Sequence, residues 1–235
     1  MPPETPTPEA EASPHYHGHR ARLRGRFLAG GGEALPDYEL LELILFGAVP
    51  RGDMKPLAKK LLAKFGSFAA VVTADAAQIM DVDGAGEAVA VALKSVDAAA
   101  RRLARQQVES RPILGSWAAL VDYCRVVMAH ESIEQFRLLF LDRRNHLIAD
   151  EMHQRGTVDH TAVYPREIVK RALELGAISV ILVHNHPSGD PAPSKADITL
   201  TREIQKATSA VGITVHDHLV IGLHGEVSFK ALGLM

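Results

Sequence analysis

The chain has 235 residues, 47% of them hydrophobic and 23% charged, with a formal net charge of −2. This composition suits one large or two small folded domains and excludes a uniformly basic, sequence-indifferent nucleic-acid binder. A lone cysteine, Cys124, excludes an internal disulfide, and no apolar run approaches membrane-spanning length, so a cytoplasmic protein without a membrane partner is expected.

The N-terminus, Met1-Pro2-Pro3-Glu4-Thr5-Pro6, is acidic and proline-rich and lacks the basic start and apolar centre of a secretory signal. Residues 1–19 read as a disordered tail that ends in His15-Tyr16-His17-Gly18-His19, and Arg20 to Arg26 as a solvated basic helix face. Residues 20–107 read as helical. Asp37 is the expected N-cap of a helix that stops at Gly47; Pro56 opens a second helix, which Gly66 closes. Ala74 or Asp75 opens a short third, and after Gly84-Ala85-Gly86 a long Ala/Val-rich helix runs to about Arg105. Residues 108–115 are the expected linker.

Residues 116–235 change pattern. A helix is expected over Trp117–Met128, then a hairpin of Phe136–Leu141 and His146–Met152 around the turn Asp142–Asn145. Pro165 starts a helix that Gly176 ends. Ile178–Val183 is a buried strand by its β-branched content, Ser194 to about Val211 a helix, Ile213–Ile221 a strand and Val227–Phe229 a short last one. Cys124 falls in an apolar stretch and reads as a packed thiol. Trp117 reads as a core or interface aromatic.

The densest chemistry is His184-Asn185-His186-Pro187-Ser188-Gly189-Asp190-Pro191-Ala192-Pro193-Ser194-Lys195-Ala196-Asp197. Residues two apart in extended chain face the same side, so the end of the buried strand can present both imidazoles to one ion. Turn formers then redirect the chain, and Asp197 lies in the first turn of the next helix. Two imidazoles and a carboxylate suit a zinc ion with an open fourth position. Each half also has a plain structural reading. Ser194-x-x-Asp197 resembles a capping box, and two histidines at a strand end can be ordinary hydrogen-bonded side chains. Helix capping, however, requires no histidine pair on the preceding strand. The adjacent letters His-Asn-His also invite comparison with nucleases of that name, which spread those residues over a ββα unit instead.

The stretch His184 to Asp197 resembles the JAMM motif of JAB/MPN-type zinc metalloproteases, and Asn185 with Pro187-Ser188-Gly189 resembles its bacterial RadC-like form. Tyr164-Pro165-Arg166-Glu167-Ile168-Val169 before the motif, and His216-Asp217-His218-Leu219-Val220-Ile221-Gly222 and Val227-Ser228-Phe229 after it, extend the likeness. The resemblance implies an α+β fold. A helical N-terminal domain would precede a mixed, mostly antiparallel sheet flanked by helices, with the layering of cytidine deaminases.

It also implies one zinc ion per chain held by His184, His186 and Asp197, and an unknown peptide or protein substrate. Glu134, just ahead of a strand, is the implied general base, with Glu151 as its main rival and Glu131 and Glu167 behind. Ser194 would hydrogen-bond the developing oxyanion. Asn185 would orient the loop, and Asp190 is a candidate partner for a ligand histidine. His216 and His218 read as structural, bonded to carboxylates or backbone, with a second metal pair as the alternative. Asp83-Gly84-Ala85-Gly86 resembles the hairpin of a helix-hairpin-helix element, whose Gly84 and Gly86 would offer backbone N–H groups to nucleic-acid phosphate. Asp81, Asp83 and Glu87 surround it with negative charge. A zinc-dependent peptidase or isopeptidase leads. A DNA-associated adaptor with a structural zinc site and a metal-dependent nuclease are the alternatives.

Overall fold

The computed structural model describes residues 18–156 and 163–235. Most of the expected tail, including His15 and His17, lies outside the described residues. His19 does not belong to a tail: it opens the first helix, and its Nε2 sits 2.8 Å from the Glu42 carboxylate.

Two compact units divide between Ser95 and Val96. The first holds α1 (His19–Gly30), α2 (Asp37–Ala48), α3 (Lys55–Phe65), α4 (Phe68–Thr73), α5 (Ala76–Met80) and the start of α6 (Glu87–Glu109). Asp37 lies inside α2 rather than capping it, because Pro36 takes the capping position with extended backbone, and α2 runs through Gly47 to Ala48. The positive φ of Gly66 ends α3. Helix α4 has no apolar periodicity to announce it in six residues; the Ser67 hydroxyl starts it by accepting from the Ala70 N–H. Buried Leu41, Leu45, Leu61, Val71, Ile79 and Leu93 form the interior of this unit.

The unit boundary falls inside α6, ahead of the 108–115 segment. Val108 and Ala104 of α6 pack into the core of the second unit. Arg101 bonds Asp97, the Val127 carbonyl and Glu131, all in that unit. A turn of 3₁₀ helix, Ile113–Gly115, then leads to α7 (Trp117–Met128).

The second unit is a five-stranded sheet in the order β2-β1-β3-β4-β5. Strands β1 (Glu134–Leu141) and β2 (Leu147–Gly156) form the expected hairpin, and β3 (Ser179–Asn185) runs antiparallel to β1. Strand β4 (Thr214–Gly222) is parallel to β3, and β5 (Gly225–Ser228) returns along β4. One parallel pair among four makes the sheet mixed and mostly antiparallel, as the resemblance implied. On one face α7 and Val108 pack over Leu139, Leu141, Ile181, Val183, Leu219 and Ile221. On the other, α8 (Pro165–Leu175) and α9 (Lys195–Ser209) cover Phe136, Leu138, Phe140, Val180, Leu182 and Val215. With a helix layer on each face, all seven residues of β3 are buried, which is why its sequence reads as a continuous apolar run instead of an alternating one. Each fully buried Val, Leu or Ile side chain stabilises the fold by about 1.5–3 kcal/mol.

A register shift in the β3–β4 pair reverses the side-chain pattern of β4. Val180 pairs with Val215, but Ile181 pairs with Asp217, which leaves His216 as the extra residue of a bulge. Val215 belongs to the α8/α9 face while Leu219, four residues on, belongs to the α7 face. In an unbroken strand they would share a face. The bulge therefore turns His218 and Val220 toward α9.

Candidate metal centre

Strand β3 ends where its partners define a corner. His184 lies opposite Phe136 of β1 and beside Val220 of β4, with 1% of its surface exposed. Its ring stacks on Phe136, the two planes 11° apart. His186 follows the strand, tethered through its backbone N–H to the Ile221 carbonyl. The chain then reverses: the Gly189 N–H bonds back to the His186 carbonyl, and Gly189 takes a φ of +88°. This turn lies directly on Gly222 of β4, where a Cβ would stand 2.3 Å from the Gly189 carbonyl oxygen. Only a glycine at 222 lets the loop close against the sheet.

The loop delivers α9 with a complete capping box. The Ser194 hydroxyl accepts from the Asp197 N–H at 3.1 Å, and the Asp197 carboxylate accepts from the Ser194 N–H at 2.7 Å. The capping and metal readings of this segment are therefore compatible. The same Oδ2 that caps the helix lies 3.6 Å from the Nε2 atoms of both His184 and His186. The two Nε2 atoms are 3.0 Å apart. Among the described residues these three side chains form the one group of three or more metal-ligating side chains, with ligand atoms within 4.8 Å of one another.

Hydrogen bonds decide what those nitrogens can do. His186 Nδ1 is 2.8 Å from the Asp190 carbonyl, which can only accept, so the neutral ring keeps its proton on Nδ1 and presents its lone pair at Nε2. Asp190 thus partners His186 through its main chain; its carboxylate accepts from the Ala192 N–H and shapes the turn. On the other ring, His184 Nδ1 is 2.8 Å from His218 Nε2 and its Nε2 faces His186 and Asp197. Two ring nitrogens 3.0 Å apart beside a carboxylate oxygen require a proton or a cation between them. A tetrahedral ion with bonds of about 2.0–2.2 Å has ligand atoms about 3.3–3.6 Å apart; the two 3.6 Å separations to Asp197 match this, and the 3.0 Å between the imidazoles is somewhat shorter. Imidazole donors favour a transition metal over magnesium or calcium.

The electrostatics agree. Burial pushes the Asp197 carboxyl up, but the two histidines and Ser194 outweigh it and hold it well below the ordinary carboxylate range. Asp197 in turn raises His186, against its burial, with smaller contributions from the Asp190 carbonyl and the charge of Glu134. Burial keeps His218 far below the ordinary histidine value.

Among the carboxylates considered for the general base, Glu134 is the one positioned at the cluster. It opens β1, half-buried, on the face that carries Phe136, and the pairing of Phe136 with His184 sets it toward His186. Glu151 is held by the Arg171 guanidinium of α8 at 2.6–3.0 Å, which also lowers its pKa. Glu131 is engaged by Arg101 and by Gln135, and Glu167 lies 3.4 Å from Arg166. Asn185, 1% exposed, points to the opposite side from His184 and reaches the start of β1 instead of its own loop. Its Oδ1 accepts from the Gln135 N–H at 2.8 Å, and its Nδ2 donates to the Glu131 and Ile133 carbonyls at 3.3 Å. The residue between the two histidines thus ties down the segment that carries Glu134.

Two further expectations change. His216 and His218 do not form a second metal pair, because the bulge at His216 sends them apart: His216 packs against Trp117 of α7, with ring centres 6.1 Å apart, while His218 contacts His184 and Thr201. Nor does His218 bond a carboxylate or backbone through its ring. Both of its nitrogens are used by side chains, a role no spacing along the chain signals, since it needs the β3–β4 register. Gly84 and Gly86 lie in the other compact unit, between α5 and α6. Gly84 has a φ of +92°, the Gly86 carbonyl receives the Val89 and Ala90 N–H groups of α6, and Asp83 pairs with Lys60 at 2.7 Å.

Residues 114–234 match the family model of the RadC-like JAB domain. Over 213 residues the chain is 63% identical to a UPF0758 protein of Rhodobacter capsulatus, an alignment that covers 91% of this chain and all of that protein.

Proposed function

The chain belongs to the RadC-like family, and from that membership and the geometry of its second unit we propose that it is a zinc-dependent peptidase or isopeptidase of the JAMM type. The observation that carries this reading is the convergence of two imidazole Nε2 atoms and one carboxylate oxygen, with Glu134 at the neighbouring strand end. A zinc ion bound by His184, His186 and Asp197 would supply a Lewis acid with an open position for carbonyl and water. An inert zinc site normally closes with a fourth protein ligand; this group has three among the described residues, and His218 Nε2 faces His184 Nδ1.

The protein's own groups then divide the work. Glu134 accepts the proton of the attacking water and passes it to the leaving amine, a transfer worth about 10²- to 10⁴-fold in rate. The Ser194 hydroxyl accepts from the Asp197 N–H and keeps its own proton free to donate to the oxygen on which charge develops. Asn185 holds the Glu134 segment in register while α9 holds Asp197. Such a division predicts that binding of the ion and chemistry separate by mutation. Purified protein should carry one zinc per chain; His184→Ala should lose it, and Glu134→Gln should keep it while losing cleavage of peptide and isopeptide substrates. Retention of zinc in both variants, or peptide cleavage that survives Glu134→Gln, would overturn the proposal. DNA cleavage dependent on His184 and indifferent to Glu134 would replace it with a nuclease.

A further inference from the structure

We propose that Thr201 and His218 are positioning residues that fix the tautomer of His184, through a relay whose direction is set by the Asp197 main-chain carbonyl. The inference rests on the metal-centre reading for its purpose, though not for its geometry. Three short contacts form the relay: Thr201 Oγ1 to the Asp197 carbonyl at 2.6 Å, Thr201 Oγ1 to His218 Nδ1 at 2.6 Å, and His218 Nε2 to His184 Nδ1 at 2.8 Å. Each link's direction follows from the one before. A carbonyl oxygen only accepts, so the single hydroxyl proton of Thr201 points to Asp197. The Thr201 oxygen then receives the Nδ1 proton of His218, which leaves His218 Nε2 as an acceptor. His184 must supply the proton there from Nδ1, and its Nε2 lone pair is turned on His186 and Asp197.

The reversed relay is unfavourable at two points. It would set the Thr201 oxygen lone pair against the Asp197 carbonyl at 2.6 Å. It would also place a proton on His184 Nε2, in the position where a metal must bind. The fixed end is rigid because the carbonyl belongs to a helix whose first turn is locked by the capping box. Asp197 therefore acts twice, as a ligand through its side chain and as the reference of the relay through its backbone. The apparatus is buried: Thr201 and His218 have no exposed surface, and His218 stacks on Phe229 with ring centres 4.5 Å apart. Solvent therefore cannot offer Thr201 or His218 a partner outside the relay.

The test uses the full chain and Thr201→Val, which keeps the shape of the side chain and removes the hydroxyl. In metal-free protein, ¹⁵N spectra of labelled histidine should show His184 with its proton on Nδ1. In Thr201→Val that signal should shift toward the Nε2–H form while His186, held by Asp190, stays unchanged. Zinc titration should show affinity weakened about 10- to 100-fold in Thr201→Val and recovered in Thr201→Ser, which restores the hydroxyl. An Nε2–H tautomer at His184 in the wild-type protein would sink the idea, as would wild-type zinc affinity in Thr201→Val. Equal weakening in Thr201→Val and Thr201→Ser would assign the effect to packing and reject the relay. Should the wild-type chain bind no zinc, the metal-centre reading fails, and the tautomer spectra still decide the relay.

Discussion

At the scale of single residues, the site is governed by which nitrogen carries a proton and which carboxylate keeps its charge. In the metal-free protein Asp197 raises His186 above its ordinary 6.5, while the histidines and Ser194 outweigh burial and hold Asp197 below its ordinary 3.8. The pair therefore stabilises the fold most where His186 is charged and Asp197 ionised, between about pH 4 and pH 6. Its contribution is lost as pH rises through the raised His186 value, and at the acid end as pH falls through the depressed Asp197 value. The proposed metal binding would have the opposite sign, because the ion would need the His186 lone pair. Thermal unfolding of metal-free protein should show a larger deficit in His186→Gln relative to wild type at about pH 5 than at about pH 8, whereas wild-type zinc affinity should increase over the same interval. Asn185 gives a second prediction at this scale. Its buried side chain makes three bonds to residues 131–135, and removing one partner leaves polar groups unsatisfied at a cost of about 1–3 kcal/mol. Asn185→Ala should lower the melting temperature and reduce turnover at least about tenfold, with zinc content near that of wild type. Loss of zinc instead would place Asn185 among the supports of the histidines.

At the scale of elements, the N-terminus of α9 joins two tasks that can be separated. Ser194 caps the helix and, in the proposed reaction, faces the developing charge. Ser194→Ala should cost about 1 kcal/mol of stability and about 10²- to 10³-fold in turnover. Ser194→Asp restores an acceptor for the Asp197 N–H but offers no donor at neutral pH, so calorimetry should recover the stability while turnover stays low. Recovery of both would remove Ser194 from the chemistry. Loop closure belongs to this scale as well: the Gly189 turn reaches β4 only because residue 222 has no side chain, and that closure brings the Asp190 carbonyl to His186.

At the scale of the molecule, the second compact unit begins before the family-matched segment. Its core includes Val108 of α6, and Arg101 braces the Val127 carbonyl and Glu131, just ahead of Glu134. A fragment comprising residues 96–235 should therefore fold and bind zinc. One that starts at residue 114 loses buried Val108, by itself about 1.5–3 kcal/mol, and the Arg101 brace. It should melt at lower temperature and show lower turnover than the longer fragment at equal zinc content. Equal behaviour of the two fragments by calorimetry and turnover would show α6 to be dispensable to the second unit.

Much of this was legible along the chain because it is local. Strand and helix positions in the second unit follow from hydrophobic pattern, proline starts and glycine stops; the candidate ligand set and Ser194 follow from a motif whose members lie within fourteen residues. The short helix α4 was not legible, since its only start signal is the Ser67 hydroxyl. Glu134 was legible only as one candidate among rivals, and the proposed preference for it over Glu151 rests on the β1–β3 register and the Arg171 ion pair. The reach of Asn185 to β1 and the relay from Asp197 through Thr201 and His218 to His184 were hidden altogether. Each joins residues on different elements, and the second depends on a one-residue bulge at His216 that no periodicity reveals. Local chemistry names the groups that can hold an ion; strand pairing decides which way they face and where their protons sit.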